Sequence, residues 1–234
     1  MEFLSFYLYL SIVIPMCVVL VMSHSKTKTS VCFTIIGLTV ALFCGELNGI
    51  IFKLLPYSYD IYATTFSPIV EEVFKMFPIV IYAFTIKQNR QSLIENSIAV
   101  GVGFAILENT FVFASNIGNI NLMTAILRAF GSGIMHVMTT LLIGFGFSFI
   151  VDRRKLYLSG SIGLLTTAIT YHSIYNYLIC SEHYIVGFLM PAVLVIPTMI
   201  FVKGGAFKMG SNDGYPDEKP EPKPRFDDRI QVIK

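Results

Sequence analysis

Charge is what this chain has least of. Only 14% of its 234 residues are Asp, Glu, Lys or Arg, against 54% apolar, where a water-soluble domain carries about a quarter charged. That shortage excludes a soluble globular enzyme, because too little polar surface remains to wet a compact fold. Cysteine is sparse as well. Cys17, Cys32, Cys44 and Cys180 lie in or beside apolar runs without C-x-x-C spacing, so neither a disulfide framework nor a cysteine zinc site is indicated. H-E-x-x-H is missing, and no serine stands in a G-x-S-x-G context that would point to a covalent nucleophile. The formal charge of +2 carries no nucleic-acid signal, since the basic residues fall in loops where membrane topology accounts for them.

What is present is long apolar runs. A helix needs roughly 20 apolar residues to cross the hydrocarbon, and runs of that size occupy 3–22, 31–54, 66–86, 93–115, 122–151, 156–180 and 184–202. The expected fold is all-α, a polytopic membrane helix bundle of about seven transmembrane helices. The first run reads as a retained anchor, because its apolar stretch is long and its basic residues, Lys26 and Lys28, follow it. Further basic residues cluster after the third run (Lys87, Arg90), the fifth (Arg153, Arg154, Lys155) and the last (Lys203, Lys208), with little beyond Lys53 between. The positive-inside rule then places the N-terminus outside and the C-terminus in the cytoplasm. Residues 1–203 form the transmembrane domain. From Gly204 to residue 234 the chain turns polar and proline-rich, a flexible cytoplasmic tail. Tyr57, Tyr59 and Tyr62 around Asp60 read as an interfacial segment with rings at headgroup level.

An ionisable residue in a bilayer helix costs about 2.5–3.5 kcal/mol on insertion scales, so each one asks for a reason. The runs contain Glu46, Glu71, Glu72, Lys75, Glu108, Arg128, His136 and His172, accompanied by Asn48, Asn109 and Asn176. With the assigned orientation most of these fall in the outer half of their helices, with His136 nearer the middle. Residues spread over five helices thus reach similar heights, which implies one polar cavity open to the extracytoplasmic side. Glu71 and Lys75, at i and i+4, are expected to pair, with Glu72 about 100° away. His172 and Asn176 share a face in the same way. Glu46 with Asn48 reads as a snorkelling or interhelical hydrogen-bonding pair, and Arg128 as a structural residue that neutralises nearby carboxylates or reaches the outer headgroups. Gly101, Gly103, Gly131 and Gly133 permit close helix approach. Carboxylates and imidazoles in a sheltered cavity suit general acid–base work on a water. Glu plus two His from separate helices would in principle bind zinc in the three-ligand catalytic style. On these residues alone a hydrolase, a proton-coupled transporter or channel, and a metal site all stay open, although no inverted halves of the transporter kind are evident.

Four motifs narrow the field: Glu71-Glu72-x-x-Lys75, Gly103-Phe104-Ala105-x-x-Glu108-Asn109, His136 followed by Thr139 and Thr140, and His172-x-x-x-Asn176. In this order, on successive helices, they resemble the PrsW family of intramembrane proteases, relatives of the CAAX prenyl endopeptidase and Abi superfamily, over roughly residues 66–180. The resemblance implies a glutamate-dependent protease of the bacterial cytoplasmic membrane. It would make the first cut in a single-span anti-sigma factor, near the extracytoplasmic face, in a stress response. It implies Glu71 as general base, His136 as its water-holding partner, and His172 with Asn176 as the oxyanion hole. Glu72 and Glu108 would share in proton transfer, with Lys75 and Asn109 in support. No cofactor is expected, zinc being the minor alternative, and no nucleic acid is expected as partner. Lysine stands one residue earlier than the arginine of E-E-x-x-x-R relatives, and Ser132 replaces the phenylalanine of F-x-x-x-H.

Overall fold

A computed structural model of the chain describes residues 14, 27–85, 90–116, 118–150 and 154–203. Apart from Ile14, the first apolar run lies outside the described residues, as do Lys26, Lys87, Arg153 and the segment from Gly204. The described chain is helical with no strand. Its main elements are α1 (Thr27–Leu54), α2 (Ser67–Thr85), α3 (Arg90–Ser115), α4 (Gly133–Ile150), α5 (Tyr157–Cys180) and α6 (Tyr184–Lys203); five of them lie close to predicted runs, while the run 122–151 is split into a short helix, a wide turn and α4. Three stretches, Thr29–Leu54, Arg90–Ser115 and Leu122–Ile150, are long and apolar enough to cross a membrane by length and composition.

α3 is the central helix. Every residue from Leu93 to Ala105 is buried, as expected for a helix apolar nearly all round. Glycines set its neighbours' distance. A methyl on Gly101 would come within 2.7 Å of the His136 carbonyl oxygen in α4, and one on Gly37 or Gly103 would strike the backbone across the α1–α3 crossing. Small residues thus let three helices approach backbone to backbone, the usual device where lipid offers no hydrophobic drive. α2 packs against α1, α4 and α5, and Phe33, Ile79, Tyr82, Val100, Ile143, Phe147 and Ala168 close the apolar core. Large apolar side chains on the outer faces, among them Ile35, Phe77, Ile81, Leu158 and Ile162, stay exposed, which suits a lipid surround.

Two wide helical turns interrupt the regular geometry. A short helix at Tyr59–Ile61 passes into a π-helical turn, Tyr62–Phe66, that feeds α2, and Leu122–Ile126 passes through a second one, Leu127–Ser132, into α4. Such turns carry an extra residue and re-aim the helix beyond them. The first departs from the expected surface segment: Tyr57 and Tyr59 are exposed, whereas Tyr62 turns inward and is buried.

Candidate active site

α2 presents its two adjacent glutamates in different directions. Glu71 faces α1: its Oε1 accepts from Ser67 Oγ at 2.6 Å and, more weakly, from Asn48 Nδ2 at 3.4 Å. Its Oε2 is buried and makes no hydrogen bond, lying 3.9 Å from His172 Nε2. Glu72 faces α4 and α5. One oxygen, Oε1, accepts from Lys75 Nζ at 2.5 Å and from His172 Nδ1 at 2.7 Å.

This corrects the expected Glu71–Lys75 pair. Both i+3 and i+4 spacing bring side chains together on a helix, and the choice falls to Glu72 because the lysine reaches toward α4. There its ammonium meets His136 Nδ1 at 3.0 Å and Thr139 Oγ1 at 3.2 Å, and it lies 4.8 Å from the centre of the Phe104 ring. An ammonium has three N–H groups, and Glu72, His136 and Thr139 take all three. That is how a fully buried lysine survives: its charge is paired and each donor satisfied.

The same bookkeeping fixes the histidines. His136 Nδ1 accepts from Lys75, so its hydrogen sits on Nε2, which is hydrogen-bonded to Glu108 Oε2. His172 donates from Nδ1 to Glu72, which leaves Nε2 as the lone-pair nitrogen facing Glu71. The two rings meet edge-on, 5.0 Å apart at 88°. Glu108 also accepts from Arg128 Nη2 at 2.6 Å. This pair is the open side of the cluster, with side chains 29% and 24% exposed, while Glu72, Lys75 and His136 are at 0%.

The structure therefore gathers Glu72, Lys75, Glu108, His136 and His172 from α2, α3, α4 and α5 into one hydrogen-bonded cluster, with Glu71 beside it, 3.9 Å from His172. Asn109 is buried and donates to the Arg128 carbonyl at 3.3 Å, bracing the arginine. Asn176 does not join His172 at a common point. Its Nδ2 donates to the Ala63 carbonyl at 2.9 Å and ties α5 to the first wide turn, which leaves one N–H of the amide for any other acceptor. Glu46 is exposed, away from the cluster, and Asn48 has turned to Ser67 instead. Sequence reasoning missed Ser67, Tyr62 and the inward role of Asn48. Only the i, i+4 spacing of Ser67 and Glu71 offered a signal.

Glu71, His136 and His172 each offer a ligand atom, all within 4.8 Å of one another and all buried. One carboxylate with two imidazoles is a known catalytic zinc set. The lone Glu71 Oε2 fits it, and so does His172, whose Nδ1 is anchored on a carboxylate in the usual outer-shell manner. The third donor, His136, fits once Nε2 turns from Glu108 and sheds its hydrogen. Residues 25–202 match the family described as PrsW family intramembrane metalloprotease. No curated protein and no solved structure matches the chain.

Proposed function

The chain belongs to the PrsW family of intramembrane proteases, and from that membership and the site geometry we propose that it is an endopeptidase hydrolysing a single-span membrane protein with a water activated by Glu71. The observation that carries the reading is the asymmetry of Glu71. One oxygen is held by Ser67 and Asn48, and the other, buried and without a hydrogen bond, faces the lone-pair nitrogen of His172 at 3.9 Å. A water admitted between them as substrate enters would lie in hydrogen-bond reach of both atoms. Glu71 takes a proton from that water as its oxygen attacks the peptide carbonyl, and returns it to the amine as the C–N bond breaks. His172, fixed by Glu72, and His136, fixed by Lys75 and Glu108, hold the reacting groups in place.

The substrate class we assign is a membrane-anchored anti-sigma factor, cut near the extracytoplasmic face of a bacterial cytoplasmic membrane. This rests on the family resemblance and the predicted orientation, N-terminus outside and about seven spans. Co-expression with candidate single-span anti-sigma factors tests it: the intact chain yields a shortened fragment and the Glu71→Gln form does not. Ion flux in proteoliposomes without any proteolysis would instead favour the transporter reading.

The Glu71–His136–His172 triad and the family's description support a second reading, in which these residues hold a metal. Bound there, a divalent ion would polarise the carbonyl and lower the pKa of a coordinated water. Glu72 then serves as the outer-shell anchor of His172, and Lys75 must yield its contact with His136 so that the ring presents Nε2. Stoichiometric metal in the purified protein, together with loss of activity on chelation, separates this reading from the metal-free one.

A further inference from the structure

We propose that Asn48 and Ser67 are positioning residues for Glu71, forming with Tyr62 a relay that fixes the torsion of its carboxylate so that one oxygen is held toward His172. The inference rests on Glu71 being the base and adds how that base is aimed. Each link has a determined direction. The Tyr62 hydroxyl donates to Asn48 Oδ1 at 2.9 Å. Burial, then the nearby Glu71 carboxylate, raises this phenol above its usual range and keeps it a donor. With Oδ1 so occupied, the Asn48 amide can point only its Nδ2 at α2, where it reaches Ser67 Oγ at 2.9 Å and Glu71 Oε1 at 3.4 Å. A hydroxyl has a single hydrogen. Since Ser67 Oγ accepts from Asn48, that hydrogen goes to Glu71 Oε1, and the 2.6 Å separation marks a charge-assisted bond.

Two donors therefore converge on Oε1 and none on Oε2. The end torsion of a carboxylate is broad, so without these donors the group would swing and no oxygen would stay aimed at His172. Chain geometry makes the relay possible. The wide turn at Tyr62–Phe66 swings Tyr62 inward, and Asn176 pins the same turn through the Ala63 carbonyl. The sequence pattern conceals all of this, because Tyr62 reads as a surface tyrosine and Asn48 as a companion of Glu46.

The test uses the full chain in proteoliposomes with the single-span reporter polypeptide it cleaves fastest, measuring kcat and KM separately. Ser67→Ala lowers kcat about tenfold, the worth of one hydrogen bond to a charged group, with KM within about twofold. Ser67→Thr, which keeps the hydroxyl, restores kcat. Asn48→Ala and Tyr62→Phe lower kcat by smaller factors and again spare KM. Thermal unfolding of each variant, unchanged within a few degrees, separates aiming from folding. Full kcat in Ser67→Ala beside an inactive Glu71→Gln overturns the relay and leaves the base intact. Full activity in Glu71→Gln overturns the base itself. A Ser67→Thr that fails to recover although it is folded also counts against the relay.

Discussion

The two ends of α3 bury polar groups in contrasting ways. Near Glu108 the buried residues bond across helices: Glu108 to Arg128 and His136, Lys75 to His136 and Thr139, His172 to Glu72. About 20 Å away along the helix, by its rise per residue, Glu95, Ser97 and the α4 residue Ser148 are equally buried. Yet Ser97 and Ser148 donate to carbonyls of their own helices, at Leu93 and Phe145. Local bonds of that kind satisfy a helix by itself. Cross-helix bonds exist only if the tertiary fold holds the partners in place, so convergence of several charged groups, rather than burial of polar atoms, distinguishes the end that holds the candidate site.

That contrast can be broken or sharpened by experiment. The largest effect is expected from Glu71→Gln, which reduces cleavage of a single-span reporter by about a thousandfold or more, the scale seen when a chemical group is removed outright, while the protein still unfolds cooperatively. Residual cleavage near the intact level would dissolve the distinction. Next, Lys75→Met leaves Glu72 charged and unpaired in a dry site and costs about 3–5 kcal/mol of stability, measurable by thermal or denaturant unfolding in micelles. The Lys75→Met/Glu72→Gln double variant recovers most of that stability but not activity, because His172 then rests on a neutral amide and His136 has lost the lysine that fixed its ring. Exhaustive chelation leaves cleavage within about twofold if Glu71 works without a metal; a larger loss that added zinc reverses transfers the chemistry to the Glu71–His136–His172 set. The smallest effects belong to the other end: Ser97→Ala and Ser148→Ala each change cleavage by less than about twofold and stability by about 1 kcal/mol or less. An inactive but folded Ser97→Ala would show that this end matters to the reaction too.

Much of the fold was legible in one dimension. The run boundaries fall within a few residues of α1, α2, α3, α5 and α6, and the run 122–151 takes in the short helix and wide turn before α4 as well as α4 itself, because spanning hydrocarbon requires about 20 consecutive apolar residues and the shortage of charge makes the breaks conspicuous. Glu71, Glu72, Glu108, His136 and His172 stood out for a related reason, as ionisable groups placed where they are costly. Glu95, in the same run as Glu108 and buried as well, met the same criterion and went unmarked. Pairing was less legible. Helical spacing allowed Lys75 either glutamate, and the choice came from α4, whose His136 and Thr139 draw the ammonium to Glu72's side. Asn176 shares a helix face with His172 yet bonds to Ala63, a partner set by the wide turn after Ile61.

The sequence by itself determined that this chain is a helical membrane protein carrying a few ionisable residues that need a reason to be there, since hydropathy and insertion cost depend only on which residue stands where. Only the tertiary structure decided which groups share a hydrogen across helices: Tyr62 with Asn48, Asn48 with Ser67, His172 with Glu72. A hydrogen bond must close to within about 3 Å, and that distance is fixed by how glycine-lined helices pack and by where two helical turns widen.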